Sequence, residues 1–313
     1  MTITAKIVSD SVSPKGKRLT TFELTYPRFV HAELMTHRQF SRNASSSRAI
    51  PIEKMIEQVE INPATPVRWG KNGAGMQDHG VMSPAEQAVS ETIWLNARDQ
   101  AVKHARFMLE QDVVPHKQIV NRILEPWMHI TVLVSATEYN NFFNLRCHKD
   151  AQPEIRALAN EMYLAYIASS PEHVALGEWH TPYLRAQDLG PMSLHAFGKQ
   201  LEELTETDYH NVVTRMGIKI SVARCARVSY LTHDGKAPSI ESDLKLYDRL
   251  VGSAPLHASP AEHQATPDLC YKGEFCNPHQ HGNFEGWIQY RKTLDNECND
   301  GFPIFDPREL KAE

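Results

Sequence analysis

The sequence predicts a mixed α/β fold in which helices dominate. Two runs rich in Thr, Val, Ile and aromatic residues open the chain. A long helical pattern with an explicit cap follows, and shorter helical patterns fill most of the remainder.

The two opening runs, "TITAKIVSDS" and "RLTTFELTYP", flank the turn residues "SPKGK" and read as a hairpin of two strands. After Pro27, "FVHAELMTH" reads as a helix leading into "LMTHRQFSRNASSSRAIP". Residues 60–82 carry several Gly and Pro without a sustained period and read as a long loop. "SPAE" then starts a helix, with Ser83 as cap, Pro84 in the first turn and Glu86 closing the box. Val89, Ile93, Ala97, Ala101, Ala105 and Met108 recur at helical spacing and predict a buried stripe. Further helices are expected at 116–124, 130–146, from Pro153 to Ile167, and, after a connector at 170–192, at 193–206, 209–227 and 239–252. The tail from 265 onward, rich in Pro, Gly, Asn, His and Cys, reads as mostly irregular.

With 313 residues, of which 41% are hydrophobic and 23% charged, the composition is that of a soluble globular protein. The formal charge of −5 speaks against a general affinity for a nucleic-acid duplex, so the arginines at 38, 42 and 48 suit a small anion better. No apolar run reaches the roughly eighteen residues of a membrane span, and no signal-peptide run is found at the start. Five cysteines without a disulfide-like framework fit a reducing, cytoplasmic setting.

Four stretches could carry chemistry. In "SRNASSSRAIP", Arg48 and the hydroxyls of Ser45, Ser46 and Ser47 could cradle a phosphate, while the alternative is a solvated loop. Arg122 and Arg146 stand inside apolar runs, where a charge requires a partner or a ligand, and Glu125, Glu138 and Asp150 are candidate partners. "SPAEH" reads as a helix start with Ser259 as cap and Glu262 closing the box, a place that also favours anions. Cys270, Cys276, His279 and His281 could ligate zinc, although the spacing matches no common zinc module and a plain loop is the simpler reading; no metal is expected.

Together these stretches resemble the flavin-dependent thymidylate synthases. "THRQFSRNASSSR" resembles that family's Arg-His-Arg signature with its closing Ser-x-Arg. "NRILEP" resembles its Arg-x-x-Leu-Pro segment, "NNFFNLR" its Asn-Phe-x-Asn-Leu-Arg segment, and "ARVSY" and "HASPAEH" two further motifs. The order is shifted: the last two motifs come first in the family and last here, which resembles a circular permutation. The likeness covers residues 18–60, 85–168 and 215–265. It implies a single catalytic domain over 1–313 with a mixed sheet flanked by long helices, a loop insertion at 60–82 and an irregular extension at 266–313. If the order is permuted, residues 1–60 and 215–290 pack together.

The resemblance implies nucleotide contacts from Ser46, Ser47, Arg48, Arg122 and Arg146. It assigns flavin contacts to His37, Arg38, Asn141, Leu145, Ser229, Ser259 and Glu262, and puts His257 near the folate. Arg146 and His257 are the expected catalytic residues. The implied reaction is methylation of dUMP at C5 with FAD, NADPH and methylenetetrahydrofolate, in a homotetramer whose sites combine several subunits. The alternatives are a relative that hydroxymethylates C5 or takes dCMP, and a non-catalytic nucleotide- or flavin-binding protein. Departures from the pattern are Thr36 for the first arginine, Glu33 for a glutamine, and Ala44 for a glutamate. Ser135, Thr137 and Asp150 also differ from the family's Asn, Arg and His. Gln289 and Arg291 in the tail are candidates to restore lost groups, Gln289 toward the substrate.

Overall fold

The computed structural model describes residues 3–197, 205–228, 238–252, 256–295 and 297. Its centre is a mixed five-stranded sheet in the order β3-β4-β2-β1-β5, formed by β1 (Thr4–Val12), β2 (Arg18–Pro27), β3 (Ser41–Ala44), β4 (His129–Ala136) and β5 (Glu172–His173). The expected hairpin is present. β1 and β2 pair antiparallel with a bulge between Ile7 and Ser9, and Gly16, at φ +74°, closes the turn. β5 alone runs parallel to its neighbour.

Residues 129–136 are the clearest correction to the sequence reading, because they form a strand and not the start of a helix. Ile130, Val132, Val134 and Ala136 alternate toward one face, which is a period of two. The helix that follows, α5, is confined to Asn140–Arg146. On that face, Phe22, Leu24 and Tyr26 of β2 join the β4 residues. They pack against Ile155, Leu158, Ala159 and Met162 of α6 (Pro153–Ala168) and against Phe142 and Phe143 of α5.

The opposite face mixes hydroxyls with hydrocarbon from Leu19 and Leu133. Ser11 on β1, Thr21 on β2, Ser135 on β4 and Ser41 on β3 are all buried there. Two buried imidazoles cover them. His180 Nδ1 lies 2.8 Å from Ser11 Oγ, and its Nε2 lies 2.8 Å from Thr21 Oγ1. Thr21 meets Ser135 at 2.6 Å, and Ser135 meets His263 Nδ1 at 2.8 Å. Buried hydroxyls have to be satisfied, and this chain of bonds does so across three strands.

The covering layer comes from the second half of the chain. It contains α8 (Glu206–Arg227) and α9 (Ile240–Val251), which share a core through Ile218, Val222, Ala226, Leu246 and Leu250. α7 (Leu189–Phe197) packs beside α8. The segment after residue 256 is more ordered than expected. β6 (Ala265–Pro267) pairs with β9 (Trp287–Gln289), and β7 (Cys270–Tyr271) with β8 (Glu274–Phe275). Phe284 and Trp287 are fully buried with Leu19 and Ala265, and Trp287 Nε1 donates to Lys17 O at 3.2 Å. The part of the tail from Ala265 to Gln289 therefore belongs to the core, while residues 298–313 lie outside the described residues. The expected meeting of residues 1–60 with 215–290 is observed: Asn43 Nδ2 donates to Cys225 O at 2.7 Å, and Ser41 Oγ to Asn283 Oδ1 at 3.1 Å.

α1 (His31–Met35) joins the first core through Leu34, while a further cluster is built by α2 (Ile52–Ile61), α3 (Pro84–Leu109) and α4 (Lys117–Val120), followed by 3-10 turns over Asn121–Trp127. Ser83 and Glu86 form the capping box as expected. The buried stripe of α3 is shorter than its pattern suggests: Val89 and Ile93 are 61% and 63% exposed. The partners of α3, α2 and the 121–127 turns, cover it only from Trp94 through Val102, Ala105 and Met108. Among the described residues no helix is long and apolar enough to cross a membrane.

The hydroxyl face makes stability depend on pH. Burial lowers the pKa of both His180 and His263 to about 3, helped in His263 by the neighbouring His180. An unfolded imidazole titrates near 6.5, so between pH 6.5 and 3 the unfolded state holds the extra protons. Their contribution is complete above that window and is lost as pH falls through it, by up to about 1.4 kcal/mol per pH unit for each ring. Urea unfolding at several pH values is expected to show stability falling below pH 6.5 with an uptake approaching two protons. His180→Gln is expected to remove one proton of that slope. A wild-type slope unchanged by the substitution would contradict the assignment.

Candidate active site

The arginine-serine segment leaves β3 and turns sharply. Ser45 extends the pairing with β4: its N donates to Thr131 O at 2.8 Å, and its Oγ accepts from Thr131 N at 3.2 Å. Ala49 N then donates to Ser46 O at 2.9 Å, and Arg48 N to Ser46 Oγ at 3.3 Å, which closes a hydroxyl-assisted turn. Buried Asn121 clamps this turn from outside, donating to Ser47 O at 2.8 Å and Ile50 O at 3.0 Å. Lys117 Nζ reaches Ala49 O at 3.1 Å. The turn is thus held by its carbonyls, and the Arg48 side chain is left exposed.

Arg48 and Ser46 face a cleft of about 360 Å³, within the range of small-ligand sites. His116 and Gln118 at the start of α4 line a second side. His257, Ser259 and Pro260 line a third, so the two ends of the sequence meet here. Asn43 joins them, because its Oδ1 accepts from Ser259 Oγ at 3.3 Å while its Nδ2 holds the end of α8. His257 is anchored by its backbone N–H to Leu250 O at 3.0 Å.

The residue pattern explains the charge of the region. Arg18, Arg28, Arg68, Arg98, Arg106, Arg224, Arg227 and Arg291 each pair with a carboxylate. Among the described residues no carboxylate forms an ion pair with Arg38, Arg42, Arg48, Arg122 or Arg146, which lie in the segments singled out from sequence, nor with Arg156, Arg185, Arg215 or Arg249 elsewhere. Guanidinium groups left without a carboxylate are available to an anion.

Other expected site residues fall elsewhere. Arg122 is exposed on the 3-10 turn and lies outside the cleft, so it is not a charge inside an apolar face. Ser47 is buried and contributes its carbonyl to Asn121. Arg146 ends α5 and bonds His37 Nε2 at 2.9 Å and Thr36 Oγ1 at 3.3 Å, away from the cleft. Arg38, Asn141 and Leu145 are exposed near that contact in sequence. Ser229 lies outside the described residues.

Three expectations are corrected. "SPAEH" makes one 3-10 turn, Ser259–Glu262, in which Ser259 caps nothing. Glu262 is held by an ion pair with Arg291 and is raised in pKa mainly by burial. Gln289 is 2% exposed and donates to Ser41 Oγ, Glu262 O and Asn283 Oδ1, holding the turn from behind and not facing the cleft. As for the proposed zinc quartet, His281 bonds Asp268 at 2.9 Å and Gly286 N at 3.1 Å, and no metal-binding group of three is found among the described residues.

The model of the family described as "Thymidylate synthase complementing protein" matches residues 13–172. The chain belongs to that family. The matched span carries Arg48, Arg122 and Arg146, whereas His257 and Ser259 lie beyond it. No curated protein matches the chain. Among solved structures it is similar to the UMP/dUMP methylase PolB from Streptomyces cacaoi bound with 5-Br dUMP. There the identity is 18% over 53% of this chain and 90% of that one, with a TM-score of 0.43. It is also similar to thymidylate synthase X from Helicobacter pylori with FAD and dUMP, at 16% identity over 47% of this chain and 67% of that one, with a TM-score of 0.33.

If Arg48 serves a phosphate, Arg48→Ala is expected to weaken a nucleoside monophosphate by roughly thirtyfold, as for loss of a charge-assisted hydrogen bond. Arg48→Lys keeps the charge without the fork and is expected to recover only part of that loss. Titration calorimetry on the three proteins checks this, with circular dichroism to confirm folding. Equal affinities would return the segment to a solvated loop.

Proposed function

We propose that this chain is a flavin-dependent enzyme that methylates dUMP at C5 to give dTMP, using methylenetetrahydrofolate. The observation that carries the reading is the cleft. It gathers Arg48 and Ser46, whose charge no carboxylate among the described residues offsets, with His257 and Ser259 from the other end of the chain. Family membership supports the same chemistry.

In this reading the Ser46–Arg48 turn binds the nucleotide's phosphate, with exposed N–H and hydroxyl groups beside the guanidinium. Arg146 favours negative charge on the activated pyrimidine, and His257 stands where the folate approaches. Arg122 and Arg146 lie outside the cleft of their own chain, which fits a homotetramer whose neighbouring copies complete each site. FAD would be held by the exposed face of α5, where Asn141 and Leu145 are one turn apart, and by Arg38, whose guanidinium no carboxylate pairs among the described residues. Recharged by NADPH, the flavin would supply the hydride. Ser259 is committed to Asn43 and Glu262 to Arg291, so the tail half of the expected flavin set serves the cleft and its support. The shifted motif order, read as a circular permutation, belongs to the same proposal.

Two experiments test it. Purified protein is expected to bind FAD, and Asn141→Ala to weaken it more than Ser259→Ala; the reverse order would move the flavin into the cleft. Incubation with FAD, NADPH, methylenetetrahydrofolate and either dUMP or dCMP, followed by mass spectrometry, is expected to yield dTMP from dUMP. Hydroxymethylated product or turnover of dCMP would establish the related enzyme instead. Nucleotide binding without any product would establish a non-catalytic relative.

A further inference from the structure

We infer that His37 is a positioning residue for Arg146: it holds that guanidinium as a neutral acceptor, so that the arginine is fixed without being neutralised. The inference rests on the reading of Arg146 as a nucleotide contact, and it changes the role of His37, which the resemblance assigns to flavin.

Arg146 Nε donates to His37 Nε2 at 2.9 Å. A ring nitrogen that accepts carries no proton, so the ring is neutral with its proton on Nδ1. The second anchor is also neutral: Arg146 Nη2 donates to Thr36 Oγ1 at 3.3 Å, and Thr36 directs its own hydroxyl proton to Glu33 O at 2.7 Å. Two of arginine's five N–H donors are thereby used and three remain. A carboxylate in either place would fix the side chain equally well, but it would cancel the charge that an anion needs.

The ring is itself immobilised. Phe40 stacks on it at 5.8 Å and Phe142 meets it edge-on at 4.8 Å, and Phe142 stands one turn before Arg146 on α5. The charges acting on the ring are both cationic, Arg146 on α5 and Arg42 on β3. Together with partial burial, which is the larger cause, they keep His37 below the ordinary imidazole range. Arg42 bonds Met35 O at 2.7 Å and so holds the turn that carries the ring. Thr36 acquires a reason here. An arginine at this position, as in the family's signature, has no lone pair to offer Arg146 and adds a like charge. The departure from the signature and the neutral anchor therefore go together.

The test combines spectroscopy with binding. Long-range nitrogen NMR on the full chain at pH 7 is expected to show His37 as the Nδ1–H tautomer; an Nε2–H tautomer or a protonated ring overturns the inference. For dUMP affinity, Arg146→Ala is expected to weaken binding on the order of a hundredfold and His37→Ala on the order of tenfold. His37→Gln, whose amide oxygen replaces Nε2 as acceptor, is expected to bind like wild type at pH 8. Between pH 8 and 6.5, where the depressed ring stays neutral, wild type and His37→Gln are expected to change affinity together; as pH falls below that range the wild type is expected to lose more, since the nucleotide's own phosphate titrates equally in both. A weakened Arg146→Ala beside an unaffected His37→Ala overturns the positioning role alone. An unaffected Arg146→Ala overturns the nucleotide reading of Arg146 and the inference with it, whatever the tautomer.

Discussion

The rest of the structure depends on one constraint: a sheet with a hydroxyl-lined face has to be covered without leaving those hydroxyls unsatisfied. Ser11, Thr21 and Ser135 are buried by the C-terminal half of the chain, and two uncharged imidazoles answer them. An apolar layer would leave Ser11 without its partner, at a cost of about 1–3 kcal/mol, and would leave Thr21 and Ser135 only each other. Charged side chains would carry a larger desolvation cost. His180 suits the geometry because its two ring nitrogens meet Ser11 and Thr21, one donating and the other accepting, while His263 meets Ser135 through Nδ1. Ser135, where the family resemblance leads one to expect asparagine, is a link in this chain.

The cleft follows from that docking. Asn43 emerges from the same sheet face and reaches both Cys225 O and Ser259, so the position of His257 and Ser259 relative to Arg48 is set by how the covering layer seats. The Arg48 turn is fixed independently, by Asn121 and Lys117. Two rigid supports thus bring together groups more than two hundred residues apart. The tail strengthens the seat from behind: Gln289 and Arg291 hold the 259–262 turn, and Trp287 ties the tail to the first hairpin.

Much of this was legible in the sequence. The hairpin, the capped α3, α6, α8 and α9 carry local signals that their tertiary contacts do not override. The arginine-serine turn and "HASPAEH" were recognisable as motifs, and their meeting followed from motif order. β4 is masked in the sequence because its alternation is short and is followed closely by the apolar α5. α2, between the arginine-serine turn and the loop, has no side-chain cap to announce it. Asn121 stands beside the more conspicuous Arg122, although an asparagine buried in an apolar run is the residue that must find partners. His116 and Gln118 enter the cleft from the start of α4, which no spacing rule reveals.

The central claim is that one nucleotide cleft is built from both ends of the chain. A crystal structure of the full chain with dUMP tests it most directly. The expected result is the phosphate within hydrogen-bond distance of Arg48 and Ser46, with His257 and Ser259 of the same chain forming the opposite wall. A nucleotide seated elsewhere, or a Ser259 segment detached from Asn43 and Arg48, would contradict it.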